Sequence, residues 1–404
     1  HELHHRDAVE DASRLGVGYL LDGTVRRSGE IARITADLID GHTGFSRWSQ
    51  SFDRSLHDIF AVQSEIARTV ASALAAEMAP DPKVPAGSAG TLAAEGGTRS
   101  AQAFDAYLKG RALYDLSADE ASERAALAQF DRAIAADPDY APAHAARARS
   151  LTAIANQYGK AGQLQDLYES AIESARRAIE IAPGLADAYS TLGFTLFQGK
   201  LDARSAREPF EKSRELGAGE ATVLARYAQY SARVGRSQDA AAAIERALLL
   251  DKLNPLIHRA AGAIQYAARD YRASIPPTRQ ALQMNPQMSR AHAAIGDALF
   301  MLGRHDEART EYLAEPAGDF GLTGLAVVER RLGNEQSARD AFAKIEGEGA
   351  RLRYQQAQVL AQWGQIDAAI ARLQQARVIG DSGLVYARND PLLDPLRGDP
   401  RFAE

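Results

Sequence analysis

Residues 255–286 read PLIHRAAGAIQYAARDYRASIPPTRQALQMNP, and this stretch decides the fold. His258, Ala261, Gly262 and Gln265 fall at helical spacing in its first half, and Ser274, Thr278 and Ala281 in its second. Asn285-Pro286 closes the unit, because a proline cannot continue the second helix and turns the chain away. Gly262 and Ser274 are small enough to let two antiparallel helices approach closely. The unit then recurs. Ala240, Ser274 and Ala308 lie 34 residues apart, and so do Ala228, Gly262 and Gly296, and Ile244, Thr278 and Tyr312, where the larger Tyr312 fills the gap to the next pair. A two-helix repeat of that period predicts a solenoid, an architecture that more often holds other proteins than catalyses reactions.

Outward from this unit, the pattern stays helical and punctuated by Pro from Ala101 on, which places about eight repeats over 101–383 and a tail over 384–404. Upstream, residues 79–100 carry Pro80, Pro82 and Pro85 among several glycines, a composition that buries no core and predicts a flexible linker. Residues 1–78 read as a separate small α+β unit. A short helix over Arg6 to Leu15 precedes alternation through Val17, Tyr19, Leu21 and Val25, then through Ala32, Ile34, Ala36 and Leu38. A third strand carries Trp48 and Phe52 on one face. Ser55 with Asp58 resembles a capping box, ahead of a helix stripe at Ile59, Ile66, Val70 and Leu74. The order is α-β-β-β-α.

Composition narrows the chemistry. A net charge of −6 argues against non-specific nucleic-acid binding, which needs a basic face. The absence of Cys removes disulfides, thiol catalysis and Cys-ligated zinc. No apolar run reaches about 18 residues, so no membrane span is expected in this chain, and no signal peptide is visible. The chain reads as a fragment, with neither compartment nor oligomeric state legible.

The repeats resemble the tetratricopeptide repeat family. The matching residues are Gly110, Ala126, Phe130, Ala133 and Pro138; Ala148, Ala171, Ala178 and Pro183; Leu192, Gly193, Ala206 and Phe210; and Tyr227, Ala228, Gly235, Ala240, Ile244 and Ala247. The Pro255 unit is the fifth. Ile295, Gly296, Gly303, Ala308 and Tyr312 follow, then Ala326, Gly333, Ala338 and Phe342, and last Ala357, Gly364, Ala369 and Leu373. The resemblance implies a mainly α fold, a right-handed superhelix of helix hairpins. The stretches Leu15 to Arg27, Ile34 to Asp40 and Trp48 to Phe60 are similar to a TolB-like α+β module. That module precedes such repeats in bacterial signalling proteins whose N-terminus is a winged-helix DNA-binding domain or a class III adenylate/guanylate cyclase domain. The tail from Asp390 to Phe402 resembles the end of the same proteins, and such a segment is expected to cover the last repeat.

No catalytic, cofactor or metal site is expected. His258 and His292 recur at the repeat spacing, but His144, Tyr189 and His292 each lie six residues after a Pro (Pro138, Pro183, Pro286). A place that takes His or Tyr is a packing slot, and side-by-side repeats do not converge ligands on one point. Gly217-Ala218-Gly219 follows a helix rather than a strand, so it is not a phosphate loop. Asp119-Glu120 and Asp306-Glu307 suit helix N-termini without acid–base chemistry.

What remains is the inner face, lined in this family by the first helix of each pair. Those positions are Phe104, Tyr107, Arg111, Tyr114, Arg149, Phe194, Phe197, Gln229, Arg259, Tyr266, Arg290, Asp297 and Phe300. Aromatics with Arg make binding hot spots, and Arg clamps carboxylates in two parallel bonds. The expectation is a non-catalytic sensor or scaffold region of a bacterial signalling or transcription-regulatory protein, taking a protein or peptide segment in its groove. Two alternatives stay open: the regulatory part of a nucleotide cyclase whose catalytic domain lies elsewhere, and a free-standing assembly scaffold. Shape change and homodimerisation are both open as ways to pass the signal on.

Overall fold

The computed structural model describes residues 2–28, 31–55, 69, 96–116, 119–159, 162–316 and 318–402. These form two compact units that divide after Phe104. In the first, α1 (Glu2–Leu15) leads into β1 (Tyr19–Ser28), β2 (Ile31–Asp40) and β3 (Ser46–Ser55), an antiparallel meander in sequence order. Alternation sets its register: Leu21 lies opposite Leu38, Val25 opposite Ile34, and Phe52 opposite Ile34 on the other side. Ala36, Leu38 and Phe52 are buried, together with Ala8 and Ala12 of α1, whereas Leu21 and Val25 are exposed. A β-carbon on Gly41 would stand 2.6 Å from that of Ala12, so the β2–β3 turn needs glycine where it meets the helix. Asp40 ties that turn by accepting from the backbone N–H of His42 and Thr43 at 2.9 and 3.0 Å. The guanidinium of Arg47 holds its carboxyl down to about 2. The helix expected over 59–74 and the linker up to residue 95 lie outside the described residues, Thr69 apart.

From Ala101 the chain folds into hairpins of two helices: α2 (Ala101–Leu116) with α3 (Glu120–Ala136), α4 (Ala141–Tyr158) with α5 (Leu164–Ile181), α6 (Ala186–Gly199) with α7 (Arg207–Leu216), and α8 (Ala221–Arg233) with α9 (Ser237–Leu250). Then come α10 (Pro255–Ala267) with α11 (Tyr271–Met284), α12 (Ala291–Met301) with α13 (His305–Ala314), α14 (Gly318–Arg331) with α15 (Glu335–Gly347), and α16 (Arg353–Gln362) with α17 (Ile366–Ile379). Three hairpins are locked by a glycine under a large ring. A β-carbon would meet Phe130 at 2.6 Å on Gly110, Phe210 at 2.9 Å on Gly193, and Tyr312 at 2.6 Å on Gly296. Tyr312 also abuts Gly324 of the next hairpin, so one buried ring fixes two repeats. Gly262 packs on Ser274 and Thr278, as the period predicts.

The turn inside the hairpins calls for a left-handed residue, supplied by Gly235, Gly303, Gly333 and Gly364. In the fifth repeat Arg269 occupies that place at φ 67°, a strain of about 1 kcal/mol or more. Between repeats, histidines close the turn. His144 meets the carbonyl of Pro138 at 2.9 Å, and His258 that of Lys252 at 2.8 Å, each six residues back. His292 instead pairs with Glu311 at 2.7 Å.

After α17 the chain continues in short 3-10 turns at Ser382–Tyr386, Pro391–Leu396 and Pro400–Phe402. This tail covers the last hairpin: Arg401 reaches Asp367 at 2.7 Å, and Gln362 Nε2 donates to the Leu392 carbonyl at 2.8 Å. It also runs across first helices far upstream. Asn389 Nδ2 donates to the Ala232 carbonyl at 2.7 Å, Arg388 Nη1 to that of Val234 at 3.3 Å, and Arg269 clamps Asp394 with both terminal nitrogens. Leu392, Leu393 and Leu396 are at most 2% exposed within the core formed by α11 to α17. Burying each contributes roughly 2 kcal/mol.

Candidate functional site: the first-helix face

The first helices present their side chains in two zones. Upstream, Tyr107 on α2 packs edge-on to Tyr140 at 5.2 Å and near Phe130 at 6.1 Å, so this aromatic serves the repeat itself. Phe104 is half-buried at the start of the same helix, and Arg111 is exposed. The guanidinium of Arg149 on α4 lies 5.2 Å from the ring centre of Tyr114 and 3.4 Å from Asp187 on α6. Arg226 on α8 reaches the same carboxylate at 3.0 Å. Burial pushes the Asp187 carboxyl up, yet Arg149, Arg226 and Arg111 together hold it below the usual carboxylate range. Phe194 and Phe197 face α8, with Phe197 edge-on to Tyr230 at 5.2 Å, and act as packing between repeats. Gln229 is exposed between Arg226 and Arg233 on one stripe of α8.

Downstream, the tail lies over the face. Arg233, in the last turn of α8, sits 4.3 Å from the ring centre of Tyr386. Burial would raise the Tyr386 hydroxyl, but the charges of Arg233, Arg290 and Arg259 overcome it and lower its pKa. Arg290 stands at the start of α12 with φ 67°, its guanidinium 4.2 Å from the centre of the Phe320 ring. The backbone N–H groups of Arg290 and Ala293 donate to Glu315 at 2.8 and 2.9 Å, an acidic cap on the positive end of α12. Tyr266 on α10 is tilted against Tyr271 at 5.4 Å, and its buried hydroxyl has no hydrogen-bond partner.

Asp297 accepts from the Tyr312 hydroxyl at 2.8 Å, and burial, with Asp390 and Glu315 nearby, pushes its carboxyl up to about 7. Asp390 of the tail accepts from Tyr354 at 2.6 Å, Gln358 at 2.7 Å and the Leu392 N–H at 2.9 Å, and burial raises it too. Phe300 is buried in the core, 5.2 Å from the His305 ring.

Sequence reasoning thus named residues of two kinds. Tyr107, Phe194, Phe197 and Phe300 hold the repeats together. Arg149, Arg259 and Arg290 carry charge on the first-helix face. It missed Arg226 and Arg233, which stand three residues before and four after Gln229 and were legible from helical spacing. It also missed Tyr386, which no helical period marks. Among the described residues no three His, Asp or Glu side chains gather as a metal ligand set, and no helix is long and apolar enough to cross a membrane.

No family model matches the chain. Over 191 residues, 47% of its length, it is 32% identical to "Putative adenylate cyclase 3" of Rhizobium meliloti (strain 1021), and the match spans 31% of that relative. Among solved structures, it is similar to the human IFIT1 dimer with m7Gppp-AAAA (TM-score 0.51, 14% identity, 69% of this chain and 72% of that one). It is similar as well to the APC/C hetero-tetramer Cut9-Hcn1 (TM-score 0.51, 16% identity, 72% and 55%). Helix hairpins joined at the repeat spacing, glycine-under-ring packing in three of them, and likeness to other helical-repeat chains agree: the region after residue 100 has the tetratricopeptide-repeat fold.

Proposed function

We propose that this chain is a non-catalytic binding region of a bacterial signalling or transcription-regulatory protein, which takes a protein or peptide segment on its first-helix face. One observation carries the reading: part of that face already holds a segment without α-helix, the chain's own tail of short 3-10 turns, through leucine anchors, backbone carbonyls and an Arg–carboxylate clamp. The other part offers the exposed Arg111 and Gln229, and the Tyr114 ring under Arg149, whose charge and that of Arg226 are paired with Asp187. A photo-crosslinker at Gln229 should trap a partner segment in cells, while one at the exposed Leu249, on a second helix, should not. Equal trapping at both places, or none at Gln229, would sink this reading.

The identity to the Rhizobium meliloti relative favours a second reading, in which the region regulates a nucleotide cyclase whose catalytic residues lie outside this chain. Expression of the whole coding sequence of its gene distinguishes the two. Cyclic nucleotide made by the whole protein, and changed by deleting the repeats, supports the cyclase.

A further inference from the structure

We propose that the outer edge of β1 pairs antiparallel with the β1 edge of a second copy of this chain, with Gly23 facing Gly23 across a two-fold axis. This surface lies in the α+β unit and is independent of the first-helix face. Among the described residues β1 is an outer strand of the sheet, with β2 on one side and no strand on the other. Its ladder with β2 runs unbroken from Tyr19 opposite Asp40 to Ser28 opposite Ile31. The other outer strand, β3, pairs through a register shift at Leu38 and Ile39. A long, regular edge is a template for another strand, and proteins blunt such edges with bulges, prolines or like charges. β1 has no proline and no bulge, and its Asp22 and Arg26 are of opposite sign.

The Gly41 N–H donates to the Gly18 carbonyl at 2.8 Å, in line with the β1–β2 register. Hydrogen-bonded pairs alternate along an antiparallel ladder. The main-chain groups of Leu20, Asp22, Thr24 and Arg26 therefore face β2, and those of Tyr19, Leu21, Gly23 and Val25 face outward. Gly23 agrees: its N–H donates to the Asp22 carboxylate at 2.8 Å instead of to a strand. With Gly23 on the axis, Leu21 of each copy stands opposite Val25 of the other. These are the apolar side chains that β1 leaves 56% and 70% exposed. Cross-strand neighbours share a face, so both lie on the side of the buried Leu38 and Ala36, and pairing extends that apolar face. Gly23, with no side chain, lets the two backbones approach closely at the axis. On the opposite side of the sheet, the exposed Asp22 of one copy lies diagonal to the exposed Arg26 of the other, within reach of an Arg side chain. Pairing frees the Asp22 carboxylate from Gly23 for that contact. The edge is thus complementary to itself in hydrogen bonds, apolar side chains and charge, as a two-fold interface requires.

Sedimentation equilibrium of the full chain tests this. It should dimerise with a dissociation constant on the order of 10 µM, because a seam of one strand per copy is small. Val25→Pro removes an outward N–H and no bond to β2, so it should abolish the dimer and leave the circular dichroism unchanged. Asp22→Arg and Arg26→Asp should each weaken the dimer about tenfold, since like charges then meet at two symmetric places. An equimolar mixture of those two variants should restore the original affinity, because every diagonal then joins opposite charges. A chain still monomeric at about 100 µM overturns the proposal. So does a dimer that survives Val25→Pro, which would place the contact on another surface. A mixture no tighter than its two components overturns it as well. Should Val25→Pro not fold, the charge variants and their mixture decide alone, since mixing does not repair a misfolded chain.

Discussion

The two zones of the first-helix face are built from the same repeat and end in opposite electrostatic states. Upstream, a carboxylate and its arginines come from successive repeats, Asp187 on α6 with Arg149 and Arg226 on its neighbours, and the charges close on one another. Downstream, Arg233 and Arg290 lie on aromatic rings, at Tyr386 and Phe320, and buried carboxyls with raised pKa values stand at Asp297 and Asp390. The difference teaches that repeat architecture fixes where side chains point, while single substitutions within the repeat decide whether the face is neutralised internally or left to be completed by another segment.

That comparison breaks most visibly at the tail. Leu393→Ala should cost about 3 kcal/mol of stability, since the side chain is fully buried, and hydrogen exchange should rise in α10 to α16 but not in α2 to α5. Loss of protection in all repeats together would mean the zones are not separable.

A pH titration sharpens the contrast, because the two zones respond with opposite sign. Asp297 is raised to about 7, so the folded state holds its proton more firmly than the unfolded one. Its favourable contribution is full below about pH 4 and is lost as pH rises through about 7. Asp297→Asn should remove that slope and, at pH 8, stabilise the downstream half by a few kcal/mol, on the order of its shift, as read by chemical denaturation. Asp187 is lowered, so its contribution is present above about pH 4 and fades as pH falls through its folded value. Asp187→Asn should cost about 2 kcal/mol at pH 7 and progressively less as pH falls below about 4. Matching pH slopes in the two variants would contradict the assignment.

The smallest effect is expected at Arg269→Gly. Relief of the left-handed backbone is worth about 1 kcal/mol, and the half-exposed pair with Asp394 is worth about the same. Net stability should barely change, while exchange over residues 391–396 should quicken. Slower exchange there would show that the pair does not hold the tail.

Much of this was legible from residues alone. Gly110, Gly193, Gly262 and Gly296 under Phe130, Phe210, Thr278 and Tyr312 follow from a contact between helices about 16 to 20 residues apart, which any 34-residue period displays. The groove residues were legible only as positions. Helical spacing says that Phe197 and Arg149 point off a first helix, but not that one meets Tyr230 and the other Asp187.

The sequence by itself determined the repeat, its hairpins, the glycine turns and the separate α+β unit, because each of these depends on residues within one or two neighbouring helices. Only the tertiary structure decided that the tail lies on the first helices, that Arg269 meets Asp394 across 125 positions, and that Tyr386 comes to Arg233. Such contacts depend on the accumulated rotation of one hairpin on the next, and a rotation summed over several repeats leaves no local periodic mark.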